Sequence, residues 1–401
     1  MKTHLRPSNA TMMRRVGRAA SVGLLTTLAL GLAIGEPAKA LDVSARAALM
    51  VDHQTGTVLL SKDAETPMPP ASMSKLMTLY MLFEALDQGR LSLDDTFRVS
   101  TRAWQMGGSK MFVREGQDIR IEDLIRGVIV QSGNDACVVI AEGLAGSEGA
   151  FAQRMTRRAR ELGMLDSTFA NSTGWPHPDH RMSAKDLVHI ASLIIRDFPQ
   201  YYPYFAETTY TWDDIEQNNR NPLLNLGIGA DGLKTGHTQE AGYGLVGSAE
   251  QDGRRVTFMV TGLDTARERL VETERLVNWA FREFASQQLF APDVAIASAA
   301  VWMGTERQVD LVAPDGITAI LPWAERDKIT AWVEYDGPIE APIAEGQAVA
   351  EFVLSVPEIG ETRYPLHAAT AIARGGFATK LEASARSLAG RAMRAALGDD
   401  G

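Results

Sequence analysis

The sequence of 401 residues predicts an α+β domain, an antiparallel sheet flanked by helices, followed by a small all-β domain and a C-terminal helix. Three observations predict this. Strand-like runs stand at both ends of residues 41–288, with helical spacing between them. After Ala291-Pro292 the texture shifts to short β-rich runs separated by Pro, Gly and Asp turns. The last residues carry a basic amphipathic stripe.

Residues 1–40 come first. Lys2, Arg6, Arg14, Arg15 and Arg18 precede an apolar run from Ala19 to Ile34, which ends in Ala38-Lys39-Ala40. A basic start, a short apolar run and an Ala-x-Ala ending predict an export signal cleaved after Ala40. The run is too short for a spanning helix. From Ala47, two apolar runs around His53-Gln54-Thr55-Gly56 predict a β-hairpin. Pro67, Pro69 and Pro70 end it, and Ser72 to Leu86 reads as a helix that is apolar nearly all round, hence buried in mid-domain. Residues 119–145, 147–164 and 183–197 read as helices. Gly242–Ala249 and Val256–Leu263 around Gln251-Asp252-Gly253 read as an antiparallel strand pair, and Leu270–Phe284 as a helix. The predicted organisation is a leader (1–40), a catalytic domain (41–290), a β-rich domain (291–366) and an amphipathic helix (374–398).

The charge balance of 40 basic and 50 acidic residues gives −10, which excludes nucleic acid as the main partner, because phosphate binding needs a basic face. Without the leader the chain carries about −15. One cysteine, Cys137, excludes an internal disulfide and a thiolate zinc site, and reads as a small buried hydrophobe. His177-Pro178-Asp179-His180 has metal-like spacing but no accompanying ligand cluster, so it reads as a solvated loop; no metal or cofactor is expected.

Three motifs carry chemistry. Ser72-Met73-Ser74-Lys75 puts a hydroxyl and an amine on one helical face, within hydrogen-bond reach. A serine is a weak nucleophile until a neighbour accepts its proton. A lysine does that when desolvation and a second cation depress its pKa; burial supplies the first, and Lys234 is the candidate for the second. Ser132-Gly133-Asn134 offers another hydroxyl and an amide able to hold a peptide group. Lys234-Thr235-Gly236 opens a strand with a cation, a hydroxyl and a bare backbone, which suits docking of an extended acyl chain beside a carboxylate.

These motifs in this order resemble those of the low-molecular-weight penicillin-binding proteins that are serine-type D-alanyl-D-alanine carboxypeptidases. Gln131 to Cys137, Asn219-Arg220-Asn221, His237-Thr238, Gly242-Tyr243 and the segment from Arg269 to Phe281 carry the resemblance further, although the stretch between Arg220 and Lys234 is about a residue shorter than the family pattern. The resemblance implies a β-lactamase/DD-peptidase-like fold for the catalytic domain. It implies that Ser72 attacks the penultimate D-alanine carbonyl with Lys75 as base, that the N–H groups of Ser72 and His237 form the oxyanion hole, and that Ser132 and Lys234 relay a proton to the leaving amine. Asn134 would hold the substrate amide, and Thr235, Arg269 and Arg220 the leaving carboxylate. The implied partners are a peptidoglycan stem peptide and β-lactams as covalent inhibitors.

A β-lactamase is the nearest rival, and a penicillin-binding sensor without turnover another. Class A β-lactamases activate their deacylating water with a glutamate, whereas Leu165 to Asn171 holds no Glu-x-x-Leu-Asn pattern. At the C-terminus, Arg374, Lys380, Arg386, Arg391 and Arg394 against Glu382 give a local +4. A basic amphipathic helix there predicts peripheral contact with an anionic membrane surface on the periplasmic side, held by few large side chains: Phe377, Leu381 and Leu388.

Overall fold

In the computed structural model, residues 2–5, 41–324, 326–357 and 359–376 are described. The chain divides between Phe284 and Ala285 into two compact units, Lys39–Phe284 and the remainder.

In the first unit a five-stranded antiparallel sheet runs in the order Val58–Lys62, Ala47–Asp52, Arg254–Leu263, Gly242–Gln251, Ala230–Thr238. The predicted hairpin and strand pair are its first four strands. The fifth strand carries Lys234-Thr235-Gly236, and it is the sheet's edge, as strand addition requires. The helix beginning at the motif serine starts with a 3-10 turn, Ala71–Ser74, and continues as Lys75–Asp87. Ten of its side chains from Lys75 to Leu86 are buried, because it runs through the core between the helices Asn134–Ala145, Glu148–Glu161 and Ala184–Asp197.

The single helix expected over 119–145 is two, Ile121–Ile129 and Asn134–Ala145. They part at Ser132, whose φ of +57° cannot continue a right-handed helix. The apolar periodicity on either side hides that break. Arg254 ties the sheet to the helix Ala266–Glu283: its Nε donates to buried Asp52 at 2.8 Å, and Nη1 donates to the carbonyls of Ala280 and Phe284.

The second unit is β-rich. Seven strands pair in the order Lys2–Leu5, Thr330–Asp336, Ala348–Val356, Gly360–Ala368, Gln308–Val312, Ala295–Trp302, Ile339–Glu340. Phe284–Phe290 pairs with Ile317–Pro322. Val309, Leu311, Val333, Phe352 and Leu366 form its core. The runs that the sequence marks as β-rich, Val309–Val312, Thr318–Leu321, Ile329–Tyr335 and Val349–Val356, fall on the strands Gln308–Val312, Ile317–Pro322, Thr330–Asp336 and Ala348–Val356; Phe284–Phe290, Ala295–Trp302, Ile339–Glu340 and Gly360–Ala368 are additional. The expected leader lies outside the described residues except at Lys2–Leu5, whose backbone pairs with Val333–Asp336. Residues 377–398 of the expected terminal helix also lie outside them. Its expected first residue, Arg374, is not helical: it bridges to Gly304 and ion-pairs with Glu340.

Breaking a buried ion pair strands the surviving charge. Arg254→Ala should therefore destabilise the first unit by about 3–5 kcal/mol, read as loss of melting temperature; a change below about 1 kcal/mol would show that Asp52 finds water instead.

Candidate active site

Ser72 lies in the 3-10 turn, and Lys75 opens the helix after it. Lys75 Nζ donates to Ser72 Oγ at 2.7 Å and to the Thr173 carbonyl at 2.7 Å. The lysine is fully buried. Desolvation, which disfavours its ammonium, with a smaller contribution from the nearby Arg220 charge, brings its pKa down to about 8. Lys234, expected to be that second cation, is itself buried. Burial first, then the charges of Lys75, Arg220 and Arg269, push its own pKa well below the ordinary value. Two lysines in one dry pocket cannot both hold protons comfortably, which suits a site that passes one proton about.

The second motif closes the pocket from another side. Ser132 is buried in its left-handed turn. Asn134 begins the helix that follows; its Nδ2 donates to the Gly107 carbonyl at 2.9 Å and its backbone N–H to the Ser109 carbonyl. Asp135 fixes this wall. Its carboxylate accepts from the backbone N–H groups of Met111, Phe112, Val113 and Ala136, so one buried charge is matched by four oriented dipoles.

The edge strand supplies the third side. A Cβ on Gly236 would lie 3.0 Å from Met73 Cγ, 3.1 Å from the Pro70 carbonyl oxygen and 3.2 Å from Ala71 Cβ. Only a bare backbone lets the strand lie this close to the serine turn. Thr235 is buried beside it, and His237 is exposed with its ring stacked on Tyr243 at 3.9 Å. Arg269 reaches the same corner: its guanidinium lies over the Tyr243 ring, Nη2 donates to the Arg220 carbonyl at 3.5 Å, and its buried Nε has no partner among the described residues. Arg220 donates to Ser109 Oγ at 2.6 Å. Every catalytic or substrate-binding residue expected from the sequence thus falls in this first unit, on the serine turn and its helix, the Ser132 loop and its helix, the edge strand or the Arg220–Arg269 corner.

Several contributors were missed in the sequence. Thr173 acts through its carbonyl, which leaves no mark in residue type. Asn171 Oδ1 accepts from the N–H groups of Thr173, Gly174 and Trp175, setting the turn that aims that carbonyl. Asp135 and Tyr243 lay inside quoted segments without a role. One expectation is corrected: His180 is buried, not solvated. Its ring packs edge-on against Phe169 and its Nδ1 accepts from the Ala170 N–H, while burial brings its pKa down to about 4. His177 and Asp179 are exposed as expected. Among the described residues no group of three or more His, Cys, Asp or Glu is placed to hold a metal. Cys137 is fully buried and its thiol is pushed up to about 12 by desolvation, which makes it a small core residue.

A part-buried hydroxyl on a fully buried amine, facing an edge strand with two guanidinium groups at one end, defines a serine acyl-transfer site. The chain belongs to the D-alanyl-D-alanine carboxypeptidase family of serine peptidases. The family's profile, described as D-alanyl-D-alanine carboxypeptidase, matches residues 34–265, and one described as penicillin-binding protein 5, C-terminal domain, matches residues 284–374. The chain is 34% identical over 348 residues to the D-alanyl-D-alanine carboxypeptidase DacD of Escherichia coli, spanning 85% of this chain and 90% of that protein. It is 30% identical to DacF of Bacillus subtilis, spanning 90% and 97%. Among solved structures, penicillin-binding protein 5 from Haemophilus influenzae superposes with a TM-score of 0.75 at 31% identity, covering 84% of this chain and all of that one. Penicillin-binding protein D2 from Listeria monocytogenes, solved in an ampicillin-bound form, does so at 0.55 and 32%, covering 60% and 99%.

His180 is neutral in the folded protein, while an unfolded histidine takes up a proton near 6.5. The unfolded state therefore binds more protons between about pH 6.5 and 4, and stability should fall as pH drops through that window. His180→Gln should flatten the loss in melting temperature between pH 7 and 4.5; an unchanged slope would assign the loss to other groups.

Proposed function

We propose that this chain removes the terminal D-alanine from peptidoglycan pentapeptide stems through an acyl-serine intermediate on Ser72. The observation that carries the reading is the 2.7 Å contact between Ser72 Oγ and the fully buried Lys75 amine. In its neutral form Lys75 accepts the serine proton as Oγ bonds to the penultimate D-alanine carbonyl carbon. The backbone N–H groups of Ser72 and His237 are the donors for the oxyanion, each such donor being typically worth on the order of 10²–10³ in rate. Ser132 and Lys234 pass the proton to the departing amine as the C–N bond breaks, and water then hydrolyses the ester. Asn134 holds the substrate's amide, and Gly236 keeps the edge strand open for backbone pairing.

Choice of the terminal residue follows from charge. The free carboxylate of the leaving D-alanine is taken by Thr235 and Arg269, with Arg220 in support. Arg269 has a buried Nε without a partner among the described residues, so an internal peptide bond, bringing no carboxylate, would leave that guanidinium unmatched. A β-lactam presents both a carboxylate and a strained amide, and acylates the same serine. The rivals are not favoured: the curated relatives are named carboxypeptidases, and the stretch from Leu165 to Asn171 holds no Glu-x-x-Leu-Asn pattern.

We place the activity outside the cytoplasm, after export on residues 1–40, with catalysis in residues 41–290 and residues 291–366 as a spacer or partner surface. No helix among the described residues is long and apolar enough to cross a membrane. Residues 374–398 provide a weak, salt-sensitive hold on anionic lipid.

Two outcomes follow. A pentapeptide ending in D-Ala-D-Ala should yield free D-alanine with the wild type and none above background with Ser72→Ala; full release by that variant would overturn the assignment. The full chain should co-float with anionic liposomes at low salt and a chain ending at residue 373 should not; equal behaviour would refute the membrane contact.

A further inference from the structure

Glu148 is the first residue of the helix Glu148–Glu161, where the helix dipole favours an acid. Its burial is less ordinary. The residue is 5% exposed, and its partners come from elsewhere in the chain. One carboxylate oxygen, Oε1, accepts from the Ser172 N–H at 3.2 Å and from the Ser172 hydroxyl at 2.9 Å. The other, Oε2, accepts from the Arg102 guanidinium, whose side chain stays largely in water.

What the carboxylate holds is the turn behind the base. Ser172 and Thr173 are buried, and each backbone polar group of the pair is matched. The Ser172 carbonyl accepts from the Thr78 hydroxyl at 2.7 Å, and the Thr173 carbonyl accepts from Lys75 Nζ at 2.7 Å. Lys75 and Thr78 stand three residues apart on one helix, so two consecutive carbonyls grip one helical face. The Thr173 N–H goes to Asn171 Oδ1, and the Ser172 N–H goes to Glu148. Asn171 therefore fixes the turn at one end and Glu148 at the other. Without Glu148, Ser172 would keep two unmatched donors inside the protein, and the segment would have to move to satisfy them.

The position of that carbonyl matters to the chemistry. A neutral amine has two N–H groups and one lone pair, and only the lone pair takes the serine proton. With one N–H given to Thr173, the amine is held in rotation with its lone pair free to face Ser72 Oγ, 2.7 Å away. A carbonyl displaced by about 1 Å no longer sets that rotation, and misplacement of this size costs on the order of 10²-fold in rate.

Resting on the carboxypeptidase reading above, we propose that Glu148 is a positioning residue for the reaction. By holding Ser172 it sets the Thr173 carbonyl, and through that carbonyl it aims the Lys75 amine at Ser72. Arg102 keeps the carboxylate charged from the solvent side. Cys137, Asp135, Arg220, Lys234 and His180 also lie near Lys75, but none of them hydrogen-bonds to Glu148, so its substitution reaches the amine through the turn.

The test is the pH dependence of Ser72 acylation by a β-lactam under single-turnover conditions, with melting temperature measured alongside. Glu148→Ala should lower the plateau rate on the order of 10–100-fold. It should also move the midpoint to lower pH, because a carbonyl that leaves the amine no longer favours the ammonium. Glu148→Gln keeps an oxygen for Ser172 and should recover most of the rate and the midpoint. Should the alanine variant not fold, Ser172→Ala, which loses the hydroxyl bond alone, should show a smaller change of the same sign in both. Wild-type rate and midpoint in variants that melt earlier would reduce Glu148 to a structural part and overturn the proposal. A glutamine variant no better than the alanine one would overturn it too, since charge and not the held turn would then be at work. A wild type that is acylated yet frees no D-alanine from a pentapeptide ending in D-Ala-D-Ala would reject the carboxypeptidase reading alone, and the acylation profiles would still decide the role of Glu148.

Discussion

The site depends on one desolvated amine. Lys75 lies wholly inside the protein, with Ser72 Oγ and the Thr173 carbonyl as its partners. In water a lysine is a poor base at neutral pH because it is almost always charged; in this pocket the charged form loses its hydration and faces the Arg220 charge. The neutral amine becomes accessible, and a serine three residues away becomes a nucleophile. The elements packed around that amine keep water out while leaving a cleft for a peptide.

Three close approaches make this possible. Gly236 lets the edge strand pass against Met73 and Pro70, Gly174 lets the Thr173 turn rest on Ala71, and Asp135 gathers four backbone N–H groups to hold the loop opposite. The first two bring backbone against backbone where any side chain would intrude. The third is electrostatic, a carboxylate satisfied by dipoles instead of a counter-ion. The positive character of the Arg220–Arg269 corner is left for a substrate carboxylate to balance.

Much of this was legible in the sequence because spacing alone encodes it. Ser72 and Lys75 at three residues' separation share a helical face, and Lys234 to Gly236 ahead of an apolar run announces a strand. What escaped has physical reasons. Thr173 contributes a carbonyl, which every residue has. The break at Ser132 lies between two apolar runs that read as one helix, and only the backbone dihedral ends it. His180 sits among Pro, Asp and Arg, a composition typical of solvated loops, yet packing against Phe169 buries it. Gly360–Ala368 carries charges and Pro365, which weaken any strand signal, and is held by its pairing with Ala348–Val356. Arg220, distant in sequence, adds to the burial that lowers the Lys75 pKa, and its separation from Lys75 along the chain gave no local signal of that proximity.

The most direct measurement is an NMR titration of the Lys75 side chain in the free enzyme, run beside the pH dependence of Ser72 acylation by a β-lactam under single-turnover conditions. The lysine should lose its proton near pH 8 rather than at its ordinary 10.5, and the acylation rate should rise with pH through the same midpoint. A Lys75 that titrates at its ordinary value, or an acylation rate indifferent to pH across that range, would contradict the account.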